Sequence, residues 1–118
     1  MQRPDFIYKI ATQSALTPAR EAGFFSGMPV DLADGYMHFS TALQLGETLR
    51  RHFAGQSDLV LLAVRQADLG DALVWEVSRG GDLFPHLYGQ PLSLSWVAWE
   101  APLSVAADGS CTLPEAVR

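Results

Sequence analysis

Two histidines in this chain sit where an imidazole could do chemistry near neutral pH. His38 lies in GYMHFST, residues 35–41, and His86 lies in FPHLYG, residues 84–89. Either ring can exchange a proton or donate a hydrogen bond in the physiological range. In an extended backbone alternate side chains share a face. Tyr36 and His38 then point one way and the apolar pair Met37 and Phe39 the other. If the apolar pair is core, His38 faces a cleft or solvent. His86 and Tyr88 share a side in the same manner, with Pro85 fixing the turn between Phe84 and His86. Aromatic rings beside a histidine suit a flat ring and a hydroxyl on a ligand. Glu76, in an otherwise apolar strand, can orient an imidazole or accept from a ribose hydroxyl. Ser40 and Thr41 precede a helical pattern. Hydroxyls there cap the helix, and the free N–H groups beside them can hold a phosphate.

Each of these residues also has a plain structural reading. His38 can bond to backbone, Ser40 and Thr41 can serve as caps, and Glu76 can face solvent. Phe84 and Tyr88 can pack inward at a hairpin corner. His38, His86 and Glu76 together make a donor set for a metal, but their spacing matches no local metal motif. The sequence holds no nucleophile elbow, phosphate-binding loop or dinucleotide fingerprint.

The elements that must position these groups are short. FIYKI, residues 6–10, reads as a strand. Thr17-Pro18 reads as a helix start and Gly23 as its end. Residues 24–34 read as a long loop, and residues 36–40 as a second strand. Thr41 with Gln44 fits a capping box. Leu45, Leu49 and Phe53 form the buried stripe of the helix that follows, and Arg50, Arg51 and His52 suit its C-terminal dipole. Residues 59–64 read as a central strand and residues 73–77 as an alternating one. Gly80-Gly81-Asp82 reads as a turn, and residues 83–88, broken by Pro85, as an edge segment or ordered loop. Residues 96–101 are the last strand, and residues 108–118 a peripheral tail. Helices placed early and strands later imply an α+β domain with a largely antiparallel sheet.

Composition narrows the classes of function. The 118 residues suit one domain over the whole chain, and 48% are apolar, enough for a sizeable core. The net charge is −5, and the only adjacent basic pair is Arg50-Arg51. That argues against an extended nucleic-acid surface, which needs clustered cations. A small anionic ligand needs only two or three donors. No apolar run reaches the ~18 residues of a membrane span, and no secretory segment opens the chain. Cys111 is the only cysteine, so neither an internal disulfide nor a cysteine-based zinc site is expected. A cytoplasmic protein is the simplest expectation.

The stretches FIYKI, GYMHFSTALQLGETLRRHFAG, DLVLLAV, LVWEVS and FPHLYG occur in the order and spacing of a small bacterial family. Over about residues 5–103 the chain resembles the domain-of-unknown-function family nine-five-two, grouped with the ADP-ribosyltransferase-like fold. The resemblance implies a split, mainly antiparallel sheet with two to three short helices around a cleft that binds NAD. It places Lys9 where that superfamily often has a histidine on its first strand. It matches Ser40-Thr41 to a Ser-Thr motif, with His38 two residues before. The superfamily's catalytic Glu would fall in residues 92–96, where no acid stands, so His86 or Glu76 would have to replace it. The expected ligand is a nucleotide or another phosphorylated small molecule, with NAD a candidate cofactor. Lys9, Thr41, Gln44 and Glu76 are its expected polar contacts, and Tyr8, Phe84 and Tyr88 its ring contacts. His38, His86 and Ser40 would act in catalysis. A non-catalytic binding module is the main alternative, and a metal-dependent hydrolase the lesser one.

Overall fold

The computed structural model describes residues 4–118. Its centre is the three-stranded antiparallel sheet β1-β4-β8, formed by β1 (Phe6–Thr12), β4 (Leu59–Arg65) and β8 (Val97–Leu103). Every residue of β4 from Leu59 to Val64 is at most 2% exposed, because both faces of the sheet are covered. Ile7, Ala11, Val60, Leu62 and Val64 belong to one core, with Leu16 and Ala19 of α1 (Gln13–Ala22), Phe25, Met37, Phe39 and Leu87. Tyr8, Ile10, Leu59, Leu61 and Ala63 belong to a second, under Leu45 and Leu49 of α3 (Ala42–His52). A period-2 pattern that is apolar at every position is the mark of a strand sandwiched in this way.

A second three-stranded antiparallel sheet has the order β3-β6-β5, with β3 (Met37–His38), β6 (Leu83–Leu87) and β5 (Leu73–Val77). Met37 and Phe39 are buried in the first core, as the alternation predicts. The sheets meet where Tyr8 and Ser40 form an isolated bridge, Tyr8 N–H to Ser40 O at 2.8 Å and Ser40 N–H to Tyr8 O at 2.9 Å. A short antiparallel pair, β2 (Phe24–Phe25) with β7 (Leu92–Ser93), completes an α+β fold built of antiparallel sheets and three helices. No helix among the described residues is long and apolar enough to cross a membrane.

Four local expectations are corrected. Residues 24–34 are β2 followed by α2 (Pro29–Asp34), a six-residue helix between the left-handed glycines Gly27 and Gly35. Gly and Pro there delimit structure and do not dissolve it. The first helix starts at Gln13, capped by Thr12, whose Oγ1 accepts from Ala15 N–H at 3.1 Å; Pro18 lies inside it. Residues 83–88 hold β6, the middle strand of its sheet and not an edge. Pro85 fits because its carbonyl still accepts from Phe39 N–H at 3.0 Å, while its missing N–H would face the same side, where β3 is only two residues long. The tail is no appendage: Cys111, Leu113 and Val117 pack on the second core, and Arg118 N–H donates to the Tyr8 hydroxyl at 3.0 Å.

Candidate functional site

The two histidines face each other in register across β3 and β6. Directly opposed residues in an antiparallel pair share a face, and the ring centroids lie 5.2 Å apart, edge to face. Val74 of β5 also stands opposite His86, which puts Glu76 one step along on the same face. The opposite face carries Met37, Trp75 and Leu87 into the first core. Alternation thus divides this sheet into an apolar side and a side that collects polar chemistry.

Each imidazole has its own carboxylate. His86 Nδ1–H donates to Glu76 Oε1 at 2.8 Å, and the Tyr88 hydroxyl donates to the same oxygen at 2.6 Å. These two bonds, that of Tyr88 the larger, hold the Glu76 carboxyl below its ordinary range. The Glu76 bond pushes the Tyr88 phenol up to about 12. His38 Nδ1–H donates to Asp31 Oδ1 at 2.7 Å, and its Nε2 lies 3.0 Å from Asp34 Oδ2. Both nitrogens of His38 therefore meet carboxylates. Tyr36 lies over the group, its ring centroid 4.7 Å from that of His38, 4.3 Å from His86 and 5.0 Å from Tyr88.

Asp31 organises this corner. It is 3% exposed. Besides His38 Nδ1–H it accepts from His38 N–H at 2.9 Å and Met28 N–H at 2.6 Å, and it pairs with Lys9 Nζ at 2.7 Å. Burial works to raise its carboxyl, but the bond to His38 and the Lys9 charge outweigh it and bring it down to about 2. Lys9, 4% exposed, also donates to His38 O at 3.0 Å; burial pulls its ammonium below the ordinary value, and Asp31 opposes that. Gly27 makes the arrangement possible. A Cβ there would come within 2.8 Å of the Asp31 side chain, at a φ of +111°.

A cleft of about 550 Å³ opens beside the sheet junction. His38, His86, Ser40 and Lys9 line it together with Phe84 and a mostly apolar remainder that includes Met28, Val30 and Phe53. The size and the mixture of an apolar wall with a few polar groups suit a small molecule. Of the residues singled out in the sequence, Tyr8, Lys9, His38, Ser40, Phe84 and His86 meet at this cleft. Glu76 and Tyr88 support it through His86. Thr41 and Gln44 do not line it: Thr41 Oγ1 accepts from Gln44 N–H at 3.3 Å, Gln44 Oε1 accepts from Thr41 N–H at 3.0 Å, and Gln44 Nε2 donates to Leu83 O at 2.8 Å. Tyr8 lines the cleft but is 1% exposed, and its ring packs in the second core near Trp99. Ser40 Oγ is bonded to Thr48 Oγ1 at 3.1 Å. Among the described residues no group of three or more His, Cys, Asp or Glu is placed to hold a metal ion; the imidazoles are turned to individual carboxylates.

Sequence reasoning missed Asp31 and Asp34, and it named Tyr36 without counting it in the site. Tyr36 was legible as a neighbour of His38 on one strand face. Asp31 carried the signal of an acid two residues after Pro29, at the third position of a helix, but the surrounding Gly and Asp pattern read as a loop.

Over residues 10–100 the chain matches the sequence profile of a family described as "Protein of unknown function (DUF952)". It is similar to protein CC0527 from Caulobacter crescentus, at 48% identity over 91% of this chain and 93% of that one, with a TM-score of 0.85 to the crystal structure. The solution NMR structure of CC0527 gives 49% identity over 90% of each chain and a TM-score of 0.78. No curated protein matches the chain.

Proposed function

We propose that this chain, which belongs to the protein-of-unknown-function family DUF952, binds a nucleotide or another phosphorylated small molecule in the cleft at the sheet junction. NAD is a candidate, and an ADP-ribosyltransferase-like fold is part of this reading. The observation that carries it is the pair of carboxylate-bound imidazoles, His38 with Asp31 and His86 with Glu76, lining a mainly apolar cleft of about 550 Å³. A flat ring packs on Phe84, and the imidazoles supply the polar contacts. Asp34, which lines the cleft, repels a phosphate, so the phosphate is placed toward the bonded hydroxyls of Ser40 and Thr48, which also line it. In a transferase, His86 takes the acid–base role that an acid in residues 92–96 would otherwise play. Its Nδ1 is committed to Glu76, which leaves Nε2 as the working nitrogen.

A non-catalytic binding module is the second reading. It is favoured by the commitment of Lys9, Thr41 and Gln44 to partners within the protein. Melting the protein against millimolar NAD, ADP-ribose and AMP tests binding. A ligand at 100 times its dissociation constant adds about 2.7 kcal/mol; no shift with any of the three ends both readings. Nicotinamide release from NAD then separates turnover from binding alone.

A further inference from the structure

Helix α2 is anchored in an unusual way. Short helices are normally held by an apolar face. Here the one buried residue of α2 is Asp31, while Val30 and Leu32 are 55% and 67% exposed. Apart from Met28, the cap residue at its start, which packs against the first core, its contacts to the body are ionic and polar: Asp31 with Lys9 and His38, and Asp34 with His38 Nε2. Met28, Pro29, Val30 and Asp34 form one wall of the cleft. At each end stands a glycine with positive φ, Gly27 at 111° and Gly35 at 84°, positions able to take up a change of backbone direction.

We propose that α2 is a strap across the cleft, latched to the body by the single buried side chain of Asp31. When the latch lets go, the segment between Gly27 and Gly35 swings out and the cleft opens. Lys9 and His38 are then latch keepers that belong to the body. Met28, partly buried, is the one apolar side chain of the segment that leaves the first core when it moves, so opening is local and keeps the buried residues of both cores in place. That the opening admits a ligand rests on the function proposed above; the latch itself is tested without one.

Hydrogen exchange on the whole chain reads the opening directly. Leu32 N–H bonds to Met28 O and Gly35 N–H to Asp31 O within the strap, while the β4 amides report on the core. The latch predicts that the two strap amides exchange at least about tenfold faster than those of β4 in the native protein. Asp31→Asn should speed them further. Since that change strands Lys9 and can unfold the chain, the decisive variant is Lys9→Met with Asp31→Asn, which removes the pair and leaves no buried charge. There the strap amides should exchange at least about tenfold faster than in the native protein, with β4 unchanged. The proposal is overturned if strap and β4 exchange in step in the native protein, if the strap amides do not respond to the double change, or if strap and β4 rise by the same factor.

Discussion

Asp31 Oδ1 accepts two hydrogen bonds from one residue, the backbone N–H of His38 at 2.9 Å and its Nδ1–H at 2.7 Å. The carboxylate fixes both the position of β3 and the orientation of the ring. Its other oxygen holds Lys9 at 2.7 Å. The polar face of the second sheet is thus tied to the first sheet through one buried acid.

Removing either member of the Lys9–Asp31 pair leaves a buried charge without its partner. Lys9→Ala or Asp31→Ala should each cost about 3–5 kcal/mol, read as a lower urea midpoint. The double change Lys9→Met with Asp31→Asn should cost clearly less than either. Equal losses from the single and double changes would mean that the pair is not the source of the stability.

Acid should loosen the same corner. The Asp31 carboxyl titrates near 2 in the folded protein against 3.8 ordinarily. Between those values the unfolded chain binds more protons, so this contribution is complete above about pH 4 and is lost as pH falls toward 2. It amounts to about 2 kcal/mol. Urea unfolding from pH 5 down to pH 2 should show that loss in the native protein and not in Asp31→Asn.

The phenol of Tyr88 stands at about 12 because it donates to the Glu76 carboxylate. Glu76→Gln removes that charge, so the phenol should return toward its ordinary 10.0. Ultraviolet titration of phenolate absorbance, with Tyr88→Phe to assign the signal, checks this. An unchanged high titration in Glu76→Gln would mean that the carboxylate is not its cause.

What the sequence disclosed follows from the range of the interactions involved. The capping box of Thr41 and Gln44, the stripe Leu45–Leu49 and the alternation of Met37 against His38 are local, and each stands as expected. The family resemblance brought His38 and His86 to one cleft, but their pairing in register was not legible, because β3 on β6 joins residues far apart in sequence. Pro85 misdirected the reading, since a proline argues against a middle strand until the shortness of its neighbour is known. Asp31 was hidden for the same kind of reason: its partners Lys9 and His38 come from two different sheets. The apolar tail residues Cys111, Leu113 and Val117 are too widely spaced to reveal the second core they cover.

The capping box offers a local check. Thr41→Ala removes the acceptor for Gln44 N–H and should cost about 1 kcal/mol, a drop of a few degrees in melting temperature. Gln44→Ala should lose more than the cap alone, because Gln44 Nε2 also ties α3 to Leu83 of β6. Equal effects would show that the tie to β6 contributes nothing.

The most direct test of the central claim is an NMR titration of the labelled protein with NAD. Binding in the proposed cleft predicts saturable shifts in the ring signals of His38 and His86 and in the amides of Phe39, Ser40 and Phe84. Absence of shifts at millimolar NAD would remove NAD as the ligand, and absence with ADP-ribose and AMP as well, or shifts confined to residues away from the cleft, would contradict the account.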